Sequence, residues 1–313
     1  MGAENKQKIL VVLGPTASGK TSLALRLAQQ YHGEIISADS MQIYRGLNIG
    51  TAKATAAERA AVPHHLIDIC EPQQLFSVAD FVQAANLKIA EIAARGHLPI
   101  VAGGTGLYIS SLVDGISFSQ EGEKAEVREA LFLQAEQFGD EAMYNQLAGI
   151  DPETAAQVHP NNRKRVLRAL EFYQVTGQTL SAQRAASRPA SQPYDALLLG
   201  LRYDDRAQLY TMINARVDEM LGAGLLNEVK QVFDHRGEWR TAVQAIGYKE
   251  LFPYLEGQQS LEDCVEKLKQ ATRNYAKRQM TWFGRMQQIH WLNAASPQPG
   301  TYLQQFFADE AER

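Results

Sequence analysis

The chain has 313 residues, 45% of them hydrophobic, which is enough for a sizeable core and excludes a wholly disordered protein. The net charge of −4 gives no overall basic character, so any nucleic-acid-binding surface has to be local. The two cysteines, Cys70 and Cys264, lack metal-ligand spacing, and we expect reduced thiols in a cytoplasmic protein. We also expect no signal peptide and no membrane span, because the apolar runs are too short.

The first predicted element is a strand, a glycine-rich loop and a helix. The apolar strand Ile9–Leu13 leads into the loop, and leucines at helical spacing follow it. The loop consists of Gly14, Pro15, Thr16, Ala17, Ser18, Gly19, Lys20 and Thr21. Its glycines let successive backbone N–H groups point inward, where the helix dipole and Lys20 add positive charge. The pattern predicts a P-loop that binds a phosphate chain, with the Thr21 hydroxyl placed to ligate Mg²⁺.

Three further strands are predicted in the first third of the chain. Glu34–Ser40 ends near Asp39, and Pro99–Ala102 runs into a glycine turn that contains Thr105. Because the carboxyl ends of parallel strands share one edge of a sheet, we expect Asp39 and Thr105 beside the P-loop. On position alone, an Asp39 that caps the next turn is the alternative. His64–Ile69 is the third candidate strand, and its adjacent histidines point to opposite faces, which argues against a metal pair.

The alternation of strands and helices predicts an α/β fold: a P-loop NTPase-like parallel sheet flanked by helices, with a helical insertion domain. We place the catalytic core at residues 1–119 and 195–313 and the insertion at 120–194, where the strand pattern stops. We expect the tail after Asn293 to be a peripheral segment.

Local basic clusters stand out on this acidic chain. Asn161–Arg168 opens a helix with four cations in six residues, which is either an anion-binding patch or a solvated helix face. Arg216 lies on or beside the buried stripe of its helix, and it either extends to the surface or reaches an anion. The final helix, Leu261–Met286, faces a polyanion or simply covers the sheet; its basic stripe consists of Lys269, Arg273 and Lys277.

A P-loop alone leaves three classes open: a kinase driven by a nucleoside triphosphate, an ATPase with an interaction role, and a transferase that uses another diphosphate. Asp68 lies inside its predicted strand, which makes it a poor Walker-B carboxylate. Val101–Gly104 offers no carboxylate in its place. Both observations argue against energetic hydrolysis of a nucleotide.

Seven blocks of sequence, spread over almost the whole chain, resemble the bacterial-type tRNA dimethylallyltransferases, also called tRNA isopentenyltransferases. The P-loop is shared with many families, whereas the blocks around Asp39 and Thr105 are together highly specific. The blocks are residues 14–21, 37–46, 49–53, 102–108, 165–171, 246–250 and 277–283.

The resemblance implies a P-loop enzyme that does not use ATP. Its loop and Arg216 hold the diphosphate of dimethylallyl diphosphate, with Mg²⁺ on Thr21. The acceptor is N6 of the adenosine on the 3′ side of the anticodon, in tRNAs that read codons beginning with U, and pyrophosphate is released. Asp39 accepts the proton of the amine, and Thr105 donates a hydrogen bond near the bridging oxygen or the target nucleotide.

The resemblance also implies contacts to the anticodon stem-loop of tRNA by a monomeric enzyme. The expected contact residues are Asp39, Ser40, Met41, Gln42, Thr105, Arg128, Lys164, Arg165, Val166, Leu167, Arg168, Gln244, Ala245, Ile246, Gly247, Tyr248 and Lys249. The rivals are an adenylate dimethylallyltransferase, which modifies free adenine nucleotides, and a P-loop nucleotide kinase. The helical insertion and the basic clusters favour an RNA substrate.

Overall fold

The computed structural model describes residues 6–117, 124–187, 189 and 191–311. The chain divides into two compact units, one formed by Met1–Val113 with Pro193–Arg313 and the other by Asp114–Gln192. The predicted junction between residues 119 and 120 lies outside the described residues.

The first unit is built on a parallel sheet, which confirms the predicted fold class. Within the described residues six strands pair in the order β3-β2-β4-β1-β5-β6, and every pairing is parallel. All their carboxyl ends therefore lie at one edge. The strands are β1 (Gln7–Leu13), β2 (Gly33–Ser37), β3 (His64–His65), β4 (Leu98–Gly103), β5 (Tyr194–Arg202) and β6 (Ile289–Asn293).

Helices flank this sheet and make up the second unit. In chain order they are α1 (Lys20–Gln30), α2 (Ala56–Ala61), α3 (Val78–Ala94), α4 (Gly106–Val113), α5 (Ala125–Phe138), α6 (Asp140–Ile150), α7 (Pro152–Ala156), α8 (Arg163–Thr176), α9 (Leu180–Ala186), α10 (Arg206–Gly222), α11 (Leu225–Asp234), α12 (Phe252–Leu255), α13 (Leu261–Phe283) and α14 (Gly300–Ala311). Short 3₁₀ helices occupy Ala242–Gln244 and Lys249–Leu251.

The central strand β1 is apolar throughout because both of its faces are covered. Ile9 to Leu13 are fully buried, and Leu23 and Leu27 of α1 belong to the same core as Leu10. A strand buried on both faces reads as a continuous hydrophobic run rather than an alternating one. This packing fixes where β1 ends, and therefore where the glycine loop begins.

The strand predicted at His64–Ile69 is much shorter in the structure, and only His64 and His65 pair with β2. Leu66 and Asp68 have positive φ angles of 59° and 57°, so the chain turns away from the sheet. The Asp68 carboxylate contacts the Lys53 ammonium at 2.5 Å, and this ion pair stabilises the turned conformation. The apolar residues of this segment misled the prediction.

The tail after Asn293 contains helix α14, which packs on the core through its apolar side chains. Leu303 of α14 is 2% exposed, and the ring of Phe307 stacks on Tyr31 with centroids 5.0 Å apart. The Lys8 ammonium lies 4.5 Å from the centre of the Phe306 ring. These apolar residues at helical spacing cover the sheet beside β1 and β5.

The second unit is a helical cluster with a core of its own. Its apolar core joins α5, α6 and α8, and it includes Leu131, Leu147, Val166 and Leu170. The Asn162 side chain caps α8 by accepting a hydrogen bond from the Arg165 amide.

Candidate functional site

The glycine-rich loop has the backbone geometry that a phosphate site requires. Gly14, Ala17 and Gly19 have φ angles of 149°, 60° and 82°. A Cβ atom on Gly14 would lie 2.7 Å from the Leu201 carbonyl oxygen, so a larger residue does not fit. The Ser18 hydroxyl donates to the Pro15 carbonyl at 2.8 Å and braces the turn. The loop leads directly into the N-terminus of α1, where backbone N–H groups and the helix dipole attract anions.

Three charged side chains act on one another at this loop. Burial and the positive charge of Arg216 together lower the pKa of Lys20 to about 8, against the opposing effect of the Asp39 carboxylate. Burial also lowers the pKa of Arg216, again against the effect of Asp39. The structure therefore brings Lys20, Arg216 and Asp39 into one electrostatic cluster. Two desolvated cations beside a P-loop form a strong site for a polyanion.

Asp39 and Thr105 meet where β2 and β4 end. The Thr105 hydroxyl oxygen accepts a hydrogen bond from the Ser40 amide at 3.0 Å, and the Thr105 amide donates to the Ala38 carbonyl at 3.2 Å. One oxygen of Asp39 accepts from the Met41 amide at 2.9 Å, so Asp39 also caps the turn. The structure therefore shows the capping role of Asp39, and one oxygen of its carboxylate serves that turn.

Close approach of the two strands makes this arrangement possible. A Cβ atom on Gly103 would lie 2.2 Å from the Ala38 carbonyl oxygen, which only glycine tolerates. The glycine turn that the sequence pattern marked is therefore required by the packing of β4 against β2.

A site residue without a role in the sequence interpretation comes from α13. The Gln279 side-chain oxygen accepts from the Thr16 amide of the loop at 2.9 Å, and its NH₂ group donates to the Gly104 carbonyl at 2.9 Å. Gln279 is 5% exposed. The sequence placed it on one helix face with Tyr275 and Trp282, but nothing in the local pattern showed what that face contacts.

The loop after Asp39 is fastened to the protein by a buried carboxylate. Glu228 accepts hydrogen bonds from the amides of Asn48 (2.7 Å), Ile49 (2.9 Å) and Gly50 (2.8 Å). It also accepts the Tyr248 hydroxyl at 2.9 Å. This network fixes residues 48–50, which follow the expected contacts at residues 39–42 in the same loop.

Gln42 belongs to the same loop and is engaged inside it. Its NH₂ group donates to the carbonyls of Thr51 (3.1 Å) and Ala52 (3.2 Å), and its oxygen accepts the Ser37 hydroxyl at 2.8 Å. Ser40 and Met41 are half-buried beside it. Gln42 therefore orders the loop in this structure.

The segment 244–249 divides into exposed and buried residues. Gln244 and Lys249 are exposed, Ile246 is half-buried, and Ala245, Gly247 and Tyr248 are buried. The side chains of Ala245 and Tyr248 pack into the core of this unit, which leaves them little surface for contact with RNA.

The second unit holds the other expected RNA contacts. Lys164 and Arg165 are exposed, whereas Val166 and Leu167 are buried in the core of the unit, which confines any RNA contact of these two to backbone atoms. Arg128 precedes the basic cluster in sequence, on α5, and contacts the same carboxylate as Arg168 of that cluster.

Arg128 and Arg168 both contact the carboxylate of Glu171, which is 2% exposed. The Arg128 Nη2 atom lies 3.1 Å from Oε1, and the Arg168 Nη1 atom lies 3.2 Å from Oε2. Both arginine side chains remain about half exposed, at 51% and 48%. The carboxylate thus holds two guanidinium groups at the surface, and the three groups together carry a positive charge (two minus one).

The basic stripe of α13 is mostly used within the first unit. The Lys269 ammonium contacts Asp218 of α10 at 2.8 Å and is 14% exposed. Arg273 donates to the Asn214 side chain at 2.8 Å. Lys277 alone of the three is exposed. The amphipathic interpretation of this helix therefore accounts for Lys269 and Arg273.

The described residues contain neither a membrane-spanning helix nor a cluster of metal-ligating side chains. No helix there is long and apolar enough to cross a membrane. Nor does that part of the chain bring three or more His, Cys, Asp or Glu side chains together as a metal site.

The fold and the site define a class: an α/β protein with a P-loop, in which the desolvated cations Lys20 and Arg216 lie near the Asp39 carboxylate. The sequence model of the IPP transferase family matches residues 42–286. The chain belongs to this family.

Individual relatives agree with that assignment. The chain is 48% identical to the tRNA dimethylallyltransferase of Bacillus subtilis, over 93% of this chain and 92% of the relative. It is similar to the crystal structure of the tRNA isopentenylpyrophosphate transferase of Bacillus halodurans, with 41% identity, a TM-score of 0.70, and 98% and 96% of the two chains covered. A eukaryotic dimethylallyltransferase acting on tRNA matches with 31% identity and a TM-score of 0.78, over 97% of this chain and 77% of its own.

Proposed function

We propose that this chain transfers the dimethylallyl group of dimethylallyl diphosphate to N6 of the adenosine on the 3′ side of the anticodon in tRNA. Pyrophosphate leaves as the new C–N bond forms. Its tRNAs are those that read codons beginning with U, as the family resemblance implies. The observation that carries the proposal is the cluster of Lys20, Arg216 and Asp39, which joins a polyanion site to a carboxylate in a member of the IPP transferase family.

The cations serve the donor. The allylic carbon gains positive character as its bond to the diphosphate oxygen breaks, so the barrier falls mainly through stabilisation of the departing negative charge. The loop amides, Lys20 and Arg216 supply that stabilisation. Lys20 donates to the Pro15 carbonyl at 2.9 Å in this structure, and we infer that the diphosphate takes over this contact.

Asp39 and Thr105 serve the acceptor. An adenine amine is a poor nucleophile because its lone pair is delocalised into the ring, and Asp39 orients it and accepts its proton. The Thr105 hydroxyl accepts a hydrogen bond from the amide of Ser40, the residue after Asp39, and therefore lies close to the acceptor. The nucleotide has to leave its stack to reach this carboxylate, at a cost of a few kcal/mol that contacts to the RNA loop offset.

Thr21 suits a Mg²⁺ ion that a substrate carries. The residue is exposed in the first turn of α1, directly after Lys20. Mg²⁺ is commonly held by one or two protein oxygens together with phosphate oxygens and water, so one hydroxyl beside a diphosphate fits. When bound, the ion would neutralise charge on the diphosphate.

The exposed cations of the second unit support an RNA acceptor. Arg128, Lys164, Arg165 and Arg168 present positive charge, and Glu171 orients two of them. Arginine and lysine contacts to phosphates supply most of the affinity for a nucleic acid. We also infer a monomer that acts in the cytoplasm, and light scattering with and without RNA tests the oligomeric state.

A transfer assay with labelled dimethylallyl diphosphate tests the proposal. The reaction contains Mg²⁺ and unmodified anticodon stem-loop RNA, with AMP as a parallel acceptor and ATP as a competing donor. Label in the RNA at the adenosine next to the anticodon is the expected result. Label in AMP alone would assign the chain to the adenylate dimethylallyltransferases, and ATP turnover without prenyl transfer would make it a nucleotide kinase or an ATPase.

A further inference from the structure

We propose that Gln279 is a positioning residue that holds the P-loop and the Gly104–Thr105 turn at a fixed separation. It comes from α13, far along the chain, and bonds one group of each loop: it accepts from the Thr16 amide and donates to the Gly104 carbonyl, both at 2.9 Å. The inference rests on the proposed function, in which the P-loop binds the prenyl donor and the turn at Thr105 lies beside the RNA acceptor.

The chemistry of the two partners requires a primary amide. A backbone N–H only donates and a carbonyl oxygen only accepts, so the bridging side chain must offer an acceptor and a donor at its tip. Glutamine does so, whereas a carboxylate has two acceptors and methionine offers neither a strong donor nor a strong acceptor. The fit is tight, because a Cβ atom on Gly104 would lie 2.3 Å from the Gln279 nitrogen.

The bridge continues to Asp39. Thr105 follows Gly104 and bonds both neighbours of Asp39: its hydroxyl oxygen accepts from Ser40 at 3.0 Å, and its amide donates to Ala38 at 3.2 Å. The Tyr275 hydroxyl lies one turn before Gln279 on α13, and the side chains of Thr105 and Gln279 partly oppose the burial that raises its pKa. A shift of Gly104 therefore moves the turn that carries the carboxylate.

Loss of the bridge misaligns donor and acceptor without removing a group that binds either one. The diphosphate keeps its cations, and the RNA keeps the exposed basic residues of the second unit. Misplacement by about 1 Å lowers a rate by up to ~100-fold. We therefore expect Gln279→Met to reduce kcat by ~10- to 100-fold, with the Kd values for pyrophosphate and stem-loop RNA close to those of wild type.

Gln279→Glu gives a signature that a purely structural role does not produce. When protonated, its carboxyl group accepts from Thr16 and donates to the Gly104 carbonyl, as the amide does. When ionised, it places a second acceptor against that carbonyl. Burial raises the pKa of a carboxyl group. The kcat of this variant relative to wild type should therefore rise as the pH falls from about 8 to about 6.

The experiment measures kcat, the two Kd values and the denaturant midpoint for wild type and both variants across this pH range. Gln270 is exposed on the same helix, and Gln270→Met and Gln270→Glu are the matched controls. A wild-type kcat for Gln279→Met, or parallel losses of kcat, binding and stability, would overturn the proposal. So would a kcat ratio for Gln279→Glu that does not change with pH, which tests the idea even if Gln279→Met fails to fold.

Failure of the proposed function is a different result. In that case the wild-type enzyme does not prenylate the RNA. If AMP is the acceptor instead, the same kcat comparison applies with AMP, because the bridge aligns the loops for either acceptor.

Discussion

The Glu228 carboxylate accepts the Tyr248 hydroxyl at 2.9 Å and is the common acceptor for three consecutive backbone amides, those of residues 48–50. Gly50 has to be glycine here, because a Cβ atom on it would lie 2.8 Å from the Tyr248 ring. Burial and the nearby carboxylate raise the pKa of Tyr248, so it stays a neutral donor. One acidic side chain thus orders the loop that follows Asp39.

Glu228→Gln should destabilise the protein, since an amide NH₂ group replaces an acceptor oxygen among four donors. Each buried donor left without a partner costs about 1–3 kcal/mol. Chemical denaturation measures the change in the free energy of unfolding. Asp234→Asn is the control on the same helix, because Asp234 forms an exposed pair with Lys230 that contributes about 0–1 kcal/mol. Equal effects of the two substitutions would contradict the role of Glu228.

The contrast between Asp39 and Glu228 shows what the sequence could predict. Asp39 follows a short apolar strand and lies 19 positions after Lys20 in sequence, and a parallel sheet brings such strand ends to one edge. Strand ends and glycine turns are local patterns, which is why the P-loop and Thr105 could be placed. The fold class followed from the order of these patterns.

Glu228 and Gln279 could not be placed in this way. The three backbone amides that Glu228 binds lie 178 to 180 residues away along the chain, and the partners of Gln279 lie 175 and 263 residues away. Each of the two side chains sits on a helix whose polar residues look like any solvated face. The buried Val166, Leu167 and Tyr248 show the same limit, because a block shared with a family does not reveal which of its side chains face inward. Tertiary packing decides all of these cases.

Lys20 should make diphosphate binding sensitive to pH. Its pKa in this structure is about 8, and the ammonium form binds an anion, so affinity for pyrophosphate should fall as the pH rises through 8. Where binding requires the protonated form, Kd rises by up to ~10-fold for each pH unit above the pKa. Calorimetry from about pH 6.5 to 9.5 measures this change.

The Lys20→Arg variant separates this effect from the titration of pyrophosphate itself. Arginine stays charged over the whole range, so the ratio of the two Kd values isolates the lysine. A ratio that stays constant with pH would show that Lys20 does not titrate near 8.

Glu34 should contribute stability that is lost in acid. His65, Arg95 and His97 hold its carboxylate, with contacts of 2.6, 2.8 and 2.7 Å, and they lower its pKa from 4.5 to about 2 despite its burial. A depressed folded-state pKa stabilises the protein above pH 4.5, and this contribution decreases as the pH falls towards 2. This lowering of the pKa corresponds to ~3 kcal/mol of stability at neutral pH.

Unfolding at pH 7, 5, 4 and 3 in wild type and Glu34→Gln checks this window. The difference between the two proteins should shrink steadily below pH 4.5. Glu91→Gln, at an exposed pair with Lys88 on α3, is the control and should leave the acid profile almost unchanged. A constant difference between wild type and Glu34→Gln would mean that the carboxylate does not titrate as described.

Lys164→Ala combined with Arg168→Ala should weaken RNA binding and flatten its dependence on salt. Each phosphate contact to single-stranded RNA contributes ~0.7 to the slope of log K against log salt concentration, so the loss of two contacts lowers it by ~1.4. Fluorescence anisotropy with the stem-loop at several salt concentrations gives the slope. Lys230→Ala, which removes an exposed cation of α11, is the control. An unchanged slope in the double variant would remove α8 from the RNA interface.

Asp39→Asn should separate chemistry from binding. The amide keeps the capping acceptor for the Met41 amide but cannot take a proton from the adenine amine, so kcat should fall by ~10²- to 10⁴-fold. The Kd for stem-loop RNA should hardly change, because the phosphate contacts lie elsewhere. Single-turnover transfer and anisotropy on the same samples measure the two quantities. Asp195→Asn is the matched control, because Asp195 is an exposed carboxylate near the start of β5, at the edge of the sheet away from Asp39. It should leave kcat and the Kd for RNA unchanged. Equal losses of kcat and RNA affinity in Asp39→Asn would mean that Asp39 organises the binding surface rather than accepting the proton.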